Sequence, residues 1–150
     1  MTIRWLFAAI HLLALAIGVA AVWTRARGFR ALSGDIKQLA RVFAADGFWG
    51  LSALLWLGTG LPRAFGGLEK GADYYLGNPL FHAKLTLFGL IVLLELWPMI
   101  TLIRWRTRLR RGEPIDTSKA RTFARISEVQ AGLVVAIVFL ATALARGLGG

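Results

Sequence analysis

The sequence contains no cysteine, two methionines, two histidines, and only eight acidic residues against eighteen basic ones. Without cysteine there is no disulfide framework, no thiolate zinc or iron–sulfur site, and no C-x-x-C-H for covalent haem. With no cysteine and only two methionines the softest copper ligands are largely removed, which leaves histidine to bind that metal. There is no G-x-S-x-G, no H-E-x-x-H, and no Walker-type or dinucleotide loop, so a self-contained hydrolase or nucleotide site of the usual kinds is not expected.

Apolar residues are in excess. With 57% hydrophobic and 17% charged over 150 residues, the chain is too apolar for a soluble domain of that length. A net charge of +10 would suggest nucleic acid in a soluble protein, but here the basic residues are gathered between long apolar runs. They are read as topology determinants that touch anionic lipid headgroups, with no nucleic-acid partner.

Four runs are long enough to cross a hydrocarbon core, which takes ~20 helical residues: 5–23, 42–61, 80–103 and 126–145. A helix satisfies its own backbone hydrogen bonds in lipid and an open strand does not, so the expected fold is all-α, an integral membrane four-helix bundle in one transmembrane domain over 1–150. Arg4 before the first run resembles a signal peptide start. The run is too long for an h-region, however, and Arg25, Arg27 and Arg30 follow it, so it is retained as a helix. The connections 24–41 and 104–125 together hold thirteen Lys/Arg, against four on the other side, Arg4, Arg63, Lys70 and Arg146. That bias places both termini outside and both basic connections in the cytoplasm. Asn78-Pro79 reads as a cap and first turn for the third span, Gly66-Gly67 and Gly71 as breakers before it, and Asp116, Thr117 and Ser118 as caps for the fourth.

Ionisable residues inside these spans need a partner, a cavity or a route to the interface. They fall into two tiers: His11, His82 and Lys84 in the outer part, and Asp46, Glu95 and Glu128 toward the cytoplasm. At about 100° per residue, Lys84, Phe88, Ile91 and Glu95 share one face, and His82 lies roughly 200° from Lys84. Asp46, Gly50, Ala53, Leu57 and Gly60 form a small-residue stripe, as do His11, Ala14, Gly18 and Ala21, so His11 is expected to point inward. His11 and Lys84 enter to ~9 and ~6 Å and could share a site. Ligation of haem iron or a metal and proton relay are both open to them, as are a backbone hydrogen bond for His11 and snorkelling for Lys84. His82 is expected to be structural or surface-exposed. The inner carboxylates are either one end of a proton path from Lys84 to Glu95, ~16 Å along one face, or ion pairs of Asp46 and Glu128 with Arg41, Arg121 or Arg125.

The run from Lys70 to Leu85, reading KGADYYLGNPLFHAKL and followed by Trp97-Pro98 and Arg104-Trp105-Arg106, resembles the KG-x-x-x-Y-x-x-N-P-x-F-x-x-K signature of a family of small bacterial membrane proteins of unknown function. That resemblance implies the bacterial inner membrane. A more distant similarity extends to HemJ-type protoporphyrinogen oxidases and CopD-type copper-resistance proteins. In the HemJ type a first-helix histidine and a later lysine, often in H-x-K-L, accompany haem b. Here they correspond to His11 and to Lys84 within His82-Ala83-Lys84-Leu85, although helix one reads Phe7-Ala8-Ala9-Ile10-His11 and lacks that family's W-x-K-x-L-H context.

The expectation is therefore a haem- or tetrapyrrole-associated membrane protein with a redox role. His11 would be the axial or metal ligand, Lys84 a second ligand or anion partner, and His82 a neighbour. Tyr74 and Tyr75 would sit at the outer mouth and Trp56 would wall a flat apolar pocket. The alternatives are a small proton-coupled permease using Asp46, Glu95 and Glu128, or a non-catalytic assembly subunit with a membrane partner or a homo-oligomer.

Overall fold

The computed structural model describes residues 2–32, 34–67 and 70–149. Among these residues there is no strand. The elements are α1 (Thr2–Leu32), α2 (Leu39–Phe65), α3 (Ala72–Gly77), α4 (Pro79–Arg110) and α5 (Ala120–Ala145), with a 3₁₀ turn at Ile36–Gln38. Helices α1, α2, α4 and α5 are each long and apolar enough to cross a membrane, so the fold is an all-α membrane bundle.

The helices outrun the apolar runs that announce them. α1 continues to Leu32 rather than stopping at 23, α4 reaches Arg110 rather than 103, and α5 begins at Ala120 rather than 126. Hydropathy marks where lipid begins; a helix that has left the lipid keeps its backbone bonds while its arginines reach water or a partner. At the other end Asn78 caps α4, its Oδ1 accepting from Leu80 N at 2.9 Å, with Pro79 in the first turn. Schellman turns close two helices. Gly112 (φ 69°) and Glu113 bond back to Leu109 O and Arg108 O, and Gly147 (φ 83°) and Leu148 to Leu144 O and Ala143 O. One cap differs from expectation: Asp116 accepts from Ser118 N at 2.9 Å in a local turn, and α5 starts only at Ala120, without a side-chain cap. The Ser118 N–H, together with the Ser118 side chain, holds the Asp116 carboxyl below its ordinary range.

α1 packs along α2 and α5, and α5 along α4, whereas the α2 and α4 backbones scarcely touch. The α1 stripe lies inward: Ala14 and Gly18 are buried, and a Cβ on Gly18 would stand 2.8 Å from Ser52 Oγ. On α2 the packing face is rotated from the expected one. Val42, Ala45, Trp49, Ser52 and Thr59 are buried, while Gly50 and Leu57 are exposed. A run of small residues tolerates a close helix without requiring one, and here Trp49 supplies the larger apolar surface. Phe29, Trp105 and Phe123 form an aromatic core at the end carrying the basic connections, with Phe29 and Phe123 at 5.5 Å. Leu12, Leu13, Leu54, Leu93 and Phe139 face outward, as a lipid-solvated surface allows.

Candidate functional site

Two polar features interrupt the apolar interior. The first is centred on Arg25, which is fully buried on α1. A guanidinium has five N–H donors, and every one is used. Nε donates to Ser127 Oγ (3.2 Å), Nη1 to Asp46 Oδ1 (2.9 Å) and Glu95 Oε1 (2.7 Å), and Nη2 to Glu95 Oε2 (2.7 Å) and Gln130 Oε1 (2.8 Å). Glu95 Oε2 also accepts from Trp49 Nε1 and Gln130 Nε2, and Asp46 Oδ2 from Arg106 Nη2 at 3.1 Å. Two arginines and two carboxylates, drawn from three helices, balance in charge; Ser127 and Gln130 add the fourth helix. Unpaired, such groups would be costly to bury in lipid.

This overturns two expectations. Arg25, placed in a cytoplasmic connection by its position after the first apolar run, is an interior residue. Asp46 pairs with Arg25 and Arg106, and Glu128 with Arg30 (2.6 Å), not with Arg41, Arg121 or Arg125. The physical reason is helix length: because α1 does not end at 23, its arginines are carried along the bundle wall to the carboxylates. The signal was present in the sequence, since extending the His11, Ala14, Gly18, Ala21 stripe by one more turn lands on Arg25. Glu95 is not poised at the end of a path, because both its oxygens are committed to the hub.

The second feature is a crevice at the opposite end, between α2 and α4. It encloses about 140 Å³ and is walled by Trp56 and Gly60 from α2, Phe81, Lys84 and Phe88 from α4, and His11 from α1, with Val134 and Ile137 behind. His11 and Lys84 thus line one space. Thr59 settles the imidazole. Its hydroxyl donates to Leu55 O at 2.6 Å, so its oxygen accepts from His11 Nδ1–H at 2.7 Å, and in the neutral ring Nε2 keeps a lone pair. Gly60 makes room for that ring, since a Cβ there would lie 3.4 Å from His11 Cε1. Lys84 Nζ stands over the Phe81 ring at 5.5 Å and has no ion pair or hydrogen bond among the described residues. Arg63 acts electrostatically on both His11 and Lys84, and among the described residues no carboxylate lines the space.

The remaining candidates lie elsewhere. His82 is exposed, its Nε2 bonded to Leu76 O at 2.8 Å. Tyr74 is not at the mouth: its hydroxyl donates to Leu144 O (3.2 Å), where Lys70 Nζ also reaches (3.4 Å), while Asn78 Nδ2 donates to Leu148 O (3.3 Å). Tyr75 packs on Phe81 at 5.2 Å and supports the crevice from behind. The Lys70–Lys84 run therefore divides in two. Lys70, Tyr74 and Asn78 clamp the carboxyl end of α5, and Phe81 and Lys84 line the crevice.

No three His, Cys, Asp or Glu come together for a metal among the described residues. For haem, His11 Nε2 is a suitable axial donor, but about 140 Å³ is well below the ~300–1,000 Å³ of pockets for drug-sized ligands, and a macrocycle needs space of that order. The crevice does not fit a haem.

In comparison with known proteins, residues 3–149 match the family model described as "Predicted membrane protein (DUF2214)". No curated protein and no solved structure matches the chain.

Proposed function

This chain belongs to the family of predicted membrane proteins whose model spans residues 3–149, and on that premise we propose that it is a membrane-embedded binding protein for a small amphiphile held in the crevice between α2 and α4. One observation carries the reading. An otherwise apolar, lipid-depth space holds a lysine without a polar partner among the described residues and an imidazole with a free lone pair. An ammonium left in such a place costs free energy that only a ligand or a water path offsets, and binding sites characteristically set a few polar groups in an apolar wall. The Arg25 hub supports this as scaffold, fixing four helices so that the far end can stay open.

We place the chain in a bacterial inner membrane with both termini outside. Removing Arg25 and Arg106, which the hub occupies, still leaves eleven basic residues in the two connections against four on the other side. The crevice then opens in the outer leaflet.

The test is purification from native membranes followed by mass spectrometry of co-purified small molecules. A stoichiometric amphiphile is expected with the wild type and its loss with Ala141→Phe, which fills the crevice from α5. No bound molecule above bulk lipid, or equal retention by the variant, would overturn the reading. An absorption spectrum of the same sample should lack a Soret band; its presence would restore the tetrapyrrole alternative.

A further inference from the structure

We infer that the ligand is a single-chain phosphate monoester, entering sideways from the lipid through the seam between α2 and α4. The inference rests on the crevice being a binding site, and it adds the head-group chemistry and the route.

The route follows from how the seam is built. The α2 and α4 backbones scarcely touch, and side chains join the two helices near each end of the seam. At one end Phe65 meets Phe81 edge-on at 6.2 Å; at the other Trp49 bonds Glu95, and Arg106 bonds Asp46 and Phe43 O. Between these latches the lips are Leu57, Leu61 and Leu85, which are 42%, 54% and 46% exposed. From Phe65 to Trp56 the crevice runs nine residues along α2, ~13 Å. A chain can leave between the leucines without crossing a polar barrier, whereas an approach from water meets the α3 side, where Phe81 and Tyr75 stack.

The size admits one head and a short chain segment. A space of ~150 Å³ holds about one benzene-sized group, so two acyl chains are excluded and the rest of a long chain must lie in the lipid. The head-group chemistry follows from the two bases. Lys84 offers only donors and positive charge, with Arg63 adding to the field. His11 Nε2 offers an acceptor when the ring is neutral, because Thr59 fixes the proton on Nδ1. A carboxylate satisfies Lys84 but brings no proton for Nε2, and an alcohol brings the proton without the charge. A phosphate monoester brings both. As the monoanion it keeps one P–O–H, which donates to the Nε2 lone pair, while another of its oxygens faces Lys84. Lys84 sits ~7 Å inside the start of α4, a depth a headgroup reaches from the interface.

The experiment uses the full chain in phosphatidylcholine nanodiscs and three bromoalkyl probes of equal length: 11-bromoundecyl phosphate, 11-bromoundecanoate and 11-bromoundecanol. Bromine quenches Trp56 on contact, and Trp56→Phe identifies that contribution. Saturable quenching is expected from all three, with the phosphate bound about tenfold more tightly than the others, a difference of one charge-assisted hydrogen bond. Lys84→Gln should abolish that preference and Lys84→Arg should keep it. Equal affinities for the three probes would overturn the phosphate assignment while leaving the crevice as a site. Absence of saturable Trp56 quenching by any probe would overturn the parent reading as well. Equal quenching by brominated phosphatidylcholine would mean that bulk lipid fills the space, and would overturn the inference.

Discussion

Arg25 and Glu95 meet as a two-pronged fork, Nη1 to Oε1 and Nη2 to Oε2, both at 2.7 Å, across 70 positions of sequence. This geometry lets a guanidinium and a carboxylate satisfy each other while shielded from water, and it ties α1 to α4 although those helices are not packed backbone to backbone. The hub is also where the bundle is least tolerant of change.

Arg25→Met should destabilise the folded protein by about 3–5 kcal/mol, because it strands Glu95 as a buried, uncompensated charge and leaves Asp46 with Arg106 alone. The double variant Arg25→Met/Glu95→Gln should recover a substantial part of that loss. Unfolding in detergent, followed by circular dichroism or thermal shift, reads both. A single variant as stable as the wild type would show that the hub contributes nothing net.

Gly18 and Gly50 should respond oppositely to alanine. At Gly18 the new methyl would meet Ser52 Oγ at 2.8 Å and Trp56 at 3.0 Å, so α1 and α2 must separate, at about 1–3 kcal/mol. At Gly50 nothing lies within 4 Å, and alanine should be neutral or stabilise by roughly 0.5–1 kcal/mol through helix propensity. Equal melting temperatures for the two variants would contradict the packing described for Gly18.

Asn78 does two jobs with two atoms. Asn78→Asp keeps the oxygen that caps Leu80 N and loses the donor to Leu148 O; Asn78→Ala loses both. The alanine variant should cost about 0.5–2 kcal/mol and the aspartate less. Both should speed amide exchange at 146–149, since the clamp on the chain end is released in each. Unchanged exchange in Asn78→Asp would rule out the Leu148 bond as a restraint.

Orientation can be read cleanly, because the chain has no cysteine of its own. With Glu113→Cys in the connection between α4 and α5 and Asp73→Cys on α3, an impermeant maleimide added to intact cells should label only the second. The reverse pattern would invert the topology and move the crevice to the other leaflet.

The amino-acid sequence alone determined the lipid environment, the helical class and the four spans, because hydropathy over ~20 residues and the need to satisfy the backbone in lipid are local properties. It also determined the Asn78-Pro79 start and the glycine stops, which depend only on neighbouring atoms. Helical angle gave more: the Lys84, Phe88, Ile91, Glu95 face lies along the bundle interior, and His11 turns inward to Thr59. What stayed hidden depended on how helices are placed against one another. Arg25 looked like a loop arginine because hydropathy stops at Trp23, and only the continuation of α1 alongside Asp46 and Glu95 makes it the centre of the fold. Tyr74 looked like a mouth residue until the end of α5 arrived beside it. The size of the crevice is set by how α2 stands against α4, a relation between two separate segments that neither encodes. For that reason tertiary structure, and not the histidine and lysine themselves, decided which ligands the site can hold.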